Sequence, residues 1–443
     1  MDILHISPHL GGGVGRVLLN YLGHALAHEE ERHSVCCLEE VNPTTTADAA
    51  RLGIPLRTMM SRHIPDLLRA VSAADLVVIH WWNHPLLHAL LMREPLPPCR
   101  VLIWSHVSGH TPTQRITDPL VAYPDLFVVA APWSMEVPAI DGLSREERDA
   151  RVRLVFSCGG IDHVAQVRPE PHAGFRVGYV GAVDYWKLHL DFIGMSADAE
   201  IPGVRFIVCG GPQEAELRRD AENAGKGDLF EFRGHVNDVA QALSTFDVFG
   251  YPINPGQSGT GEQALIEALA AGVPPVVLKN GAERYIVEDG VTGIVADDEA
   301  GYTRGLETLY RDPQLRLSMA ENARKSARRR FTLASTVKAW REVYREAALF
   351  PKREHRWPGK LGAAPGGAEI FVASLGDNGR DFAEMLAGGR MTPETDAARR
   401  IAGLPEIFRS GTRGSSFHYL SWFPDDPWLK FWGELIRPGK PAD

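Results

Sequence analysis

Short runs of β-branched and apolar residues alternate along this chain with longer stretches whose apolar positions recur every three to four residues. The runs predict strands at Asp2–Ser7, Ser34–Leu38, Asp75–His80, Val101–His106 and Leu126–Ala131 in the first part. A second series follows at Arg176–Val180, Val204–Cys209, Leu229–Phe232, Asp247–Tyr251, Pro275–Leu278 and Gly293–Ala296. Between them, helical periodicity covers Val14–His28, Ile64–Ser72, Gln213–Ala224, Val236–Ser244 and Gly261–Ala271. Alternating strand and helix is the signature of parallel βαβ units. The prediction is an α/β chain with two doubly wound halves, joined around Asp162–Gly174, where Pro169, Pro171 and Gly174 cluster.

Beyond residue 304 the pattern is purely helical as far as Leu349, with a basic run at 324–330 that reads as a solvated face near a helix C-terminus. From Pro351 to Ala373 the composition turns to Pro, Gly and Lys, as in a linker. The last seventy residues carry Phe417, Tyr419, Trp422, Phe423, Trp428, Phe431 and Trp432. Such aromatics are expected to pack on the main body.

Composition narrows the class. The 443 residues carry 47 Lys+Arg against 56 Asp+Glu, a formal charge of −9, which disfavours nucleic acid as a partner. No run of 18 apolar residues occurs, and the N-terminus lacks the pattern of a signal peptide. The five cysteines are odd in number and have no C-x-x-C spacing, which points to a reducing compartment. A cytoplasmic, multi-domain protein is expected.

Four stretches carry candidate chemistry. Gly11-Gly12-Gly13-Val14-Gly15-Arg16 follows a strand and opens a helix, where glycines and free N–H groups favour an anion. Arg16 stands where the dinucleotide fingerprint needs its third glycine. Phosphate or sugar binding, a plain tight turn, and NAD binding assisted by Glu39 or Glu40 all remain open on these residues alone. His80-Trp81-Trp82-Asn83-His84-Pro85 ends a strand and enters a helix, so His80, His84 and His88 do not share one helical face for a metal. That stretch reads either as the polar lining of a ligand site or as packing. His106 ends another strand and can hydrogen-bond a sugar hydroxyl. The stretch Thr260-Gly261-Glu262 through Glu267 and Gly272-Val273-Pro274 offers a helix N-terminus to a diphosphate and a carboxylate to a ribose. The neighbouring Gly256-Gln257-Ser258-Gly259-Thr260 falls one glycine short of a serine-hydrolase elbow.

In order along the chain, these segments resemble the family-four retaining glycosyltransferases of GT-B architecture, over roughly residues 1–350. The resemblance rests on Gly11–Arg16, His106, Val177–Gly181 with Lys187, Phe206–Pro212, Phe232–Val236, Glu267–Pro274, Gly281–Glu283 and Asp289–Gly293. It implies two Rossmann-like domains facing a cleft: an acceptor-side domain at 1–170 and a nucleotide-sugar donor domain at 171–335. A helix at 336–350 bridges back, and an extension of unknown role covers 351–443.

The resemblance further implies transfer of a sugar from a nucleotide diphosphate to an acceptor hydroxyl, with retention at the anomeric carbon and no metal, since no Asp-x-Asp occurs. His106, Lys187 and Glu262 are the expected catalytic residues. Gly12, Gly13, Gly181, Lys187, His235, Val236, Thr260, Gly261 and Glu267 are expected at the donor, which is favoured as a UDP-sugar over a GDP- or ADP-sugar. Arg16, His80, Asn83 and His84 are expected on the acceptor side. No cofactor is implied. The acceptor would be a carbohydrate, lipid-linked or small molecule, and carbohydrate biosynthesis at the inner face of the membrane, with peripheral contact, is compatible.

Two departures stand out: Gly259 replaces the first of the family's paired glutamates, and Ala182 replaces an arginine. They keep open a nucleotide-sugar epimerase and a non-catalytic nucleotide-sugar-binding protein.

Overall fold

A computed structural model describes residues 1–28, 31–256, 259–362, 364–408 and 412–436. The chain forms two compact units, one from Met1–Ser157 together with the residues from Val337 onward, the other from Cys158–Thr336. The division thus falls at residue 157, earlier than the Pro/Gly cluster near 170 suggests, because the segment from Cys158 already contacts the second unit. Cys158 Sγ, for example, lies 2.9 Å from the Phe331 carbonyl.

The first unit is built on β1 (Asp2–Ser7), β2 (Arg32–Cys37), β3 (Leu56–Arg57), β4 (Leu76–Trp81), β5 (Leu96–Cys99), β6 (Val101–Ser105), β7 (Leu126–Val129) and β8 (Val152–Leu154). Seven of these form one sheet in the order β3-β2-β1-β4-β6-β7-β8, with parallel pairings throughout. Central strands of a parallel sheet are covered on both faces and read as continuous apolar runs. β4, Leu-Val-Val-Ile-His-Trp, is buried at every position. One face packs on Leu67, Val71, Leu87 and Leu91. The other packs on Leu18, Tyr21 and Leu22 of the Gly12–His28 helix and on Val337, Trp340, Val343 and Tyr344 of the Leu333–Ala347 helix.

The second unit carries β9 (Phe175–Val180), β10 (Val204–Cys209), β11 (Phe230–Gly234), β12 (Val248–Tyr251), β13 (Pro275–Leu278) and β14 (Ile294–Ala296). Its six strands run in the order β11-β10-β9-β12-β13-β14, again in parallel. Both sheets reverse their winding once, between β1 and β4 in the first and between β9 and β12 in the second. Open α/β sheets bind ligands beyond the carboxyl ends of the strands at such switch points.

The stretch 351–373 is not the linker its composition suggests. β15 (Arg353–His355) pairs antiparallel with β5, and a helix begins at Gly367. Arg353 and His355 both lie against Asp125, at 2.7 and 3.3 Å. Helices Gly367–Leu375, Arg380–Gly388, Asp396–Ala402, Ser416–Trp422 and Pro427–Leu435 then enclose a core of Phe371, Phe382, Tyr419, Leu429 and Trp432 that also includes Met92 of the first unit. Of the C-terminal aromatics, Tyr419 reaches Asn83 and His88 and Trp422 lies beside His84, whereas Trp432 is buried among the extension's own helices. Among the described residues, no helix is long and apolar enough to cross a membrane.

Candidate functional site

The loops at both switch points hold several of the sequence-predicted residues. In the second unit, residues 184–189 leave β9 and are stitched to the segment that leaves β12. The Lys187 amide donates to Asp184 Oδ1 at 2.8 Å, and the Lys187 carbonyl accepts from the Asn254 amide at 2.9 Å. Asn254 Nδ2 donates to the Tyr185 carbonyl at 2.9 Å, and the His189 amide to that of Pro252 at 2.9 Å. This stitching carries the Lys187 side chain across to Glu262. Its Nζ pairs with Glu262 Oε2, and the same oxygen accepts from the Tyr251 hydroxyl at 2.6 Å.

Glu262 sits immediately before the Gln263–Ala271 helix with φ +30° and ψ 61°. A left-handed conformation in a non-glycine residue costs on the order of 1–3 kcal/mol and persists only where surroundings impose it. Here the side chain is almost wholly enclosed, 2% exposed against 16% for Lys187. A buried carboxylate needs such a partner. Glu283, also buried, faces the same cluster: burial and the Glu262 charge push its carboxyl up to about 8, with Lys187 opposing.

Glu283 therefore keeps in the folded state a proton that its unfolded form, at the ordinary 4.5, releases. Between about pH 4.5 and 8 the unfolded chain binds fewer protons, so stability falls as pH rises. Glu283→Gln should melt with the wild type near pH 4 and above it at pH 8, by thermal circular dichroism. Parallel pH dependences for the two proteins would refute this assignment.

Glu267 lies five residues after Glu262, within the Gln263–Ala271 helix. Its Oε1 accepts from Gln263 Nε2 at 2.9 Å and lies 3.1 Å from Nε2 of the half-exposed His163. Gln263 also bonds Gly159 and Gly160, at 2.9 and 2.8 Å. Thr260 is buried and Gly261 half-buried just ahead of this helix, while Gln257 and Ser258 lie outside the described residues. Gly181 follows β9, and His235 and Val236 follow β11, with His235 exposed. All the predicted donor residues of this unit thus stand beyond the carboxyl ends of its strands or at the adjoining helix.

In the first unit, Gly12 (φ +66°) opens the helix after β1. A Cβ on Gly15 would lie 1.8 Å from the Leu10 carbonyl oxygen, so the loop folds this closely onto its helix only with glycine. Gly12, Gly13 and Arg16 are exposed, and a cavity of about 300 Å³ is lined by Gly11, Gly12, Arg16, Asn20, Asn42 and Asp48.

The remaining acceptor-side expectations need correction. His80 is wholly buried, hydrogen-bonded at 2.9 Å to both His5 and His106. Asn83 is wholly buried as well. Its Nδ2 donates to the Thr113 carbonyl and to Ser374 Oγ, at 2.8 and 3.1 Å, and its Oδ1 accepts from the Tyr419 hydroxyl at 2.7 Å. Tyr419 in turn lies 2.8 Å from His88 Nδ1, and His88 Nε2 accepts from the Trp81 indole at 3.2 Å. Asn83 is therefore a tie between the sheet rim and the C-terminal helices, which the sequence could not place. His84 is buried too, 2.6 Å from Glu39, and burial pushes it down to about 3.

What reaches the rim instead comes from the extension. Arg413, exposed, lies over the Trp82 ring at 5.8 Å and near Gly12, and its carbonyl accepts from Gln114 Nε2 at 2.5 Å. The His418 ring stands edge-on to His84 at 5.0 Å. Arg413, His418, Tyr251, Glu283 and His163 are the members that sequence reading missed. No group of three or more His, Cys, Asp or Glu among the described residues could hold a metal.

Residues 162–326 match the protein-family model described as Glycosyl transferases group 1. The chain is 30% identical over 148 residues to the putative glycosyltransferase EpsD of Bacillus subtilis, covering 33% of this chain and 38% of that one. It is 29% identical over 154 residues to the D-inositol 3-phosphate glycosyltransferase of Corynebacterium kroppenstedtii, covering 32% and 33%. The chain thus spans about a third of the length of these curated relatives. Among solved structures, Anabaena HepE in complex with UDP superposes with a TM-score of 0.63 at 17% identity, over 78% of this chain and all of that one. Sucrose-phosphate synthase from Thermosynechococcus elongatus gives 0.58 at 18%, over 78% and 98%. The fold is that of GT-B glycosyltransferases, two parallel-sheet Rossmann-like domains.

Proposed function

We propose that this protein transfers a sugar from a nucleotide diphosphate to an acceptor hydroxyl, with retention of anomeric configuration and without a divalent metal. The observation that carries this reading is the buried Lys187–Glu262–Tyr251 cluster with Glu283, at the switch point of the unit that matches the glycosyl transferases model. As the diphosphate departs, negative charge grows beside the start of the Gln263–Ala271 helix. There the first turn's N–H groups and the Lys187 ammonium stabilise it more in the transition state than in the ground state. Lys187 leaves Glu262 for the phosphate, and because Glu283 keeps its proton, Glu262 is the single anion of the two carboxyls when it does. Glu267, held by His163 and Gln263, presents its second oxygen to the ribose. UDP is the favoured base-bearing group, because HepE is known with UDP and with UDP-glucose.

On the acceptor side, Gly12, Gly13 and Arg16 stand with Arg413 of the extension, two cations suited to a polar acceptor, while burial pushes the neighbouring His418 down to about 3 and keeps it neutral. The enclosed pairing of Lys187 with Glu262 favours a second reading, a sugar-nucleotide sensor that binds without turnover.

Calorimetric titration with UDP, GDP and ADP in the presence of EDTA tests the binding step. UDP should bind best, and Glu267→Gln should weaken it about tenfold, the scale of one charge-assisted hydrogen bond. Equal binding of UDP by the variant would remove Glu267 from the site. Anomeric retention is read from the product by proton NMR, and binding without any turnover selects the sensor.

A further inference from the structure

A second cluster of charged and aromatic side chains stands apart from Lys187 and Glu262, wholly inside the first unit. Glu39 follows β2, and Trp82 and His84 follow β4. The C-terminal extension brings Arg413 and His418 against them.

The backbone around Arg413 is held to the rim. Gly414, at φ +80°, packs so closely on the Thr113 carbonyl that a Cβ would stand 2.0 Å from its oxygen, and only glycine fits there. The Ser415 amide donates to the Thr412 carbonyl at 3.0 Å and closes the turn. The guanidinium lies over the Trp82 ring, a contact that orients it without using its N–H donors.

The one carboxylate in this cluster is already engaged. Nδ1 of His9, His84 and His418 accepts from the amides of Gly11, Leu86 and Gly414, at 2.9, 3.3 and 3.0 Å. Each neutral ring therefore carries its proton on Nε2. Burial keeps the rings neutral, pulling His9 down and holding His84 and His418 at about 3. Glu39 Oε1 lies 2.6 Å from His84 Nε2, and burial raises the Glu39 carboxyl, with His9, His418 and Arg413 around it opposing.

Arg413 is left without a counter-ion. Among the described residues its guanidinium has no ion-pair or hydrogen-bond partner, and neither has that of Arg16. Arg413 Nη2 would stand 3.6 Å from a Cβ on Gly12, and Arg16 follows one turn later on the Gly12–His28 helix, lining the cavity of about 300 Å³. In a chain of formal charge −9 this is a local surplus of positive charge. Burial also pulls the Arg413 guanidinium below its usual pKa, the Glu39 charge opposing. A partly desolvated cation of this kind is stabilised by an incoming anion.

We propose that Arg413 and Arg16 bind an anionic group, a carboxylate or a phosphate, carried by the acceptor, so that the extension selects acidic sugars over neutral ones. Calling the ligand an acceptor rests on the transferase reading. The planar fork of Arg413 matches two oxygens of either group.

The full chain, with and without UDP, is titrated with glucuronate, glucose 6-phosphate and glucose, and binding is followed by ligand-observed NMR. At least one acidic sugar should bind about tenfold or more tightly than glucose, the scale of one charge-assisted contact, and the preference should shrink in high salt. Whether glucuronate or glucose 6-phosphate binds better names the group. Arg413→Gln should erase the preference with Tm and UDP affinity unchanged, and Arg413→Lys should retain part of it. Equal binding of all three sugars, no binding of the acidic ones at tens of millimolar, or an intact preference in Arg413→Gln combined with Arg16→Gln would each overturn the proposal. Weakened UDP binding in Arg413→Gln would overturn it too, by giving the arginine to the donor. Absence of transfer from UDP-glucose to a bound acidic sugar counts against the transferase reading alone, since the titrations need no turnover.

Discussion

Replacing Lys187 with Ala should cost transfer activity about a hundredfold or more, the scale found when one pre-aimed cationic or N–H donor is removed from developing charge. The same substitution should destabilise the protein, because it strands Glu262, whose side chain is 2% exposed, without its counter-ion. Breaking a buried pair from one side costs about 3–5 kcal/mol. The two effects separate in a second variant. Lys187→Met combined with Glu262→Gln removes both charges, so urea unfolding should return most of the lost stability while turnover stays low. Near-normal turnover in Lys187→Ala would remove the lysine from the chemistry. Recovery of activity in the double variant would show that stability alone had been lost.

Trp432→Ala is expected to have the largest effect on folding. The indole is wholly buried, edge-on to Phe382 at 5.0 Å and close to Phe371 and Trp428 at 5.9 and 5.7 Å. Truncating such a side chain costs about 3–5 kcal/mol, a large share of the 5–15 kcal/mol that typically holds a domain together. The loss should spread to the rim, since Tyr419 and Ser374 of the same helices hold Asn83. Trp432→Phe discards only the ring's excess and an indole N–H that finds no partner among the described residues, and should cost far less. Urea midpoints followed by far-UV circular dichroism compare the three proteins. A midpoint for Trp432→Ala close to the wild type would mean that the C-terminal helices are not integral to the first unit.

The strands were legible because parallel sheets need unbroken apolar runs, and those runs stand out in sequence: Asp2–Ser7, Val204–Cys209 and Pro275–Leu278 coincide with the observed strands. Among the candidate site residues, Gly12 and Glu267 stood out beside a glycine-rich turn and a helix start, whereas Lys187 came from the family resemblance alone. What escaped depends on pairing between distant segments. Tyr251 looks like an ordinary strand position, and Glu283 only closes a short motif of the resemblance, until the fold brings both to Glu262. Asn83 and His80 read as lining because polar residues at strand ends often are, whereas the C-terminal helices cover one and neighbouring strands the other. The bonds from His80 to His5 and His106 need strand order and register together, neither of which spacing in one dimension contains. Residues 351–373 misled because their prolines and glycines hide a three-residue strand whose partner lies some 250 positions earlier.

The second unit is inserted, in sequence, between two parts of the first. On the ribosome this fixes an order of completion. Cys158–Thr336 is contiguous and can close its core as soon as it has emerged, while the earlier-made β1–β8 sheet still lacks Trp340, Tyr419 and Trp432. At roughly 5–20 residues per second, that sheet waits several seconds or more for its last aromatic side chains. The part made first is therefore completed after the second unit, and its rim loops reach their final surroundings only once the helices carrying Tyr419 and Trp432 have emerged.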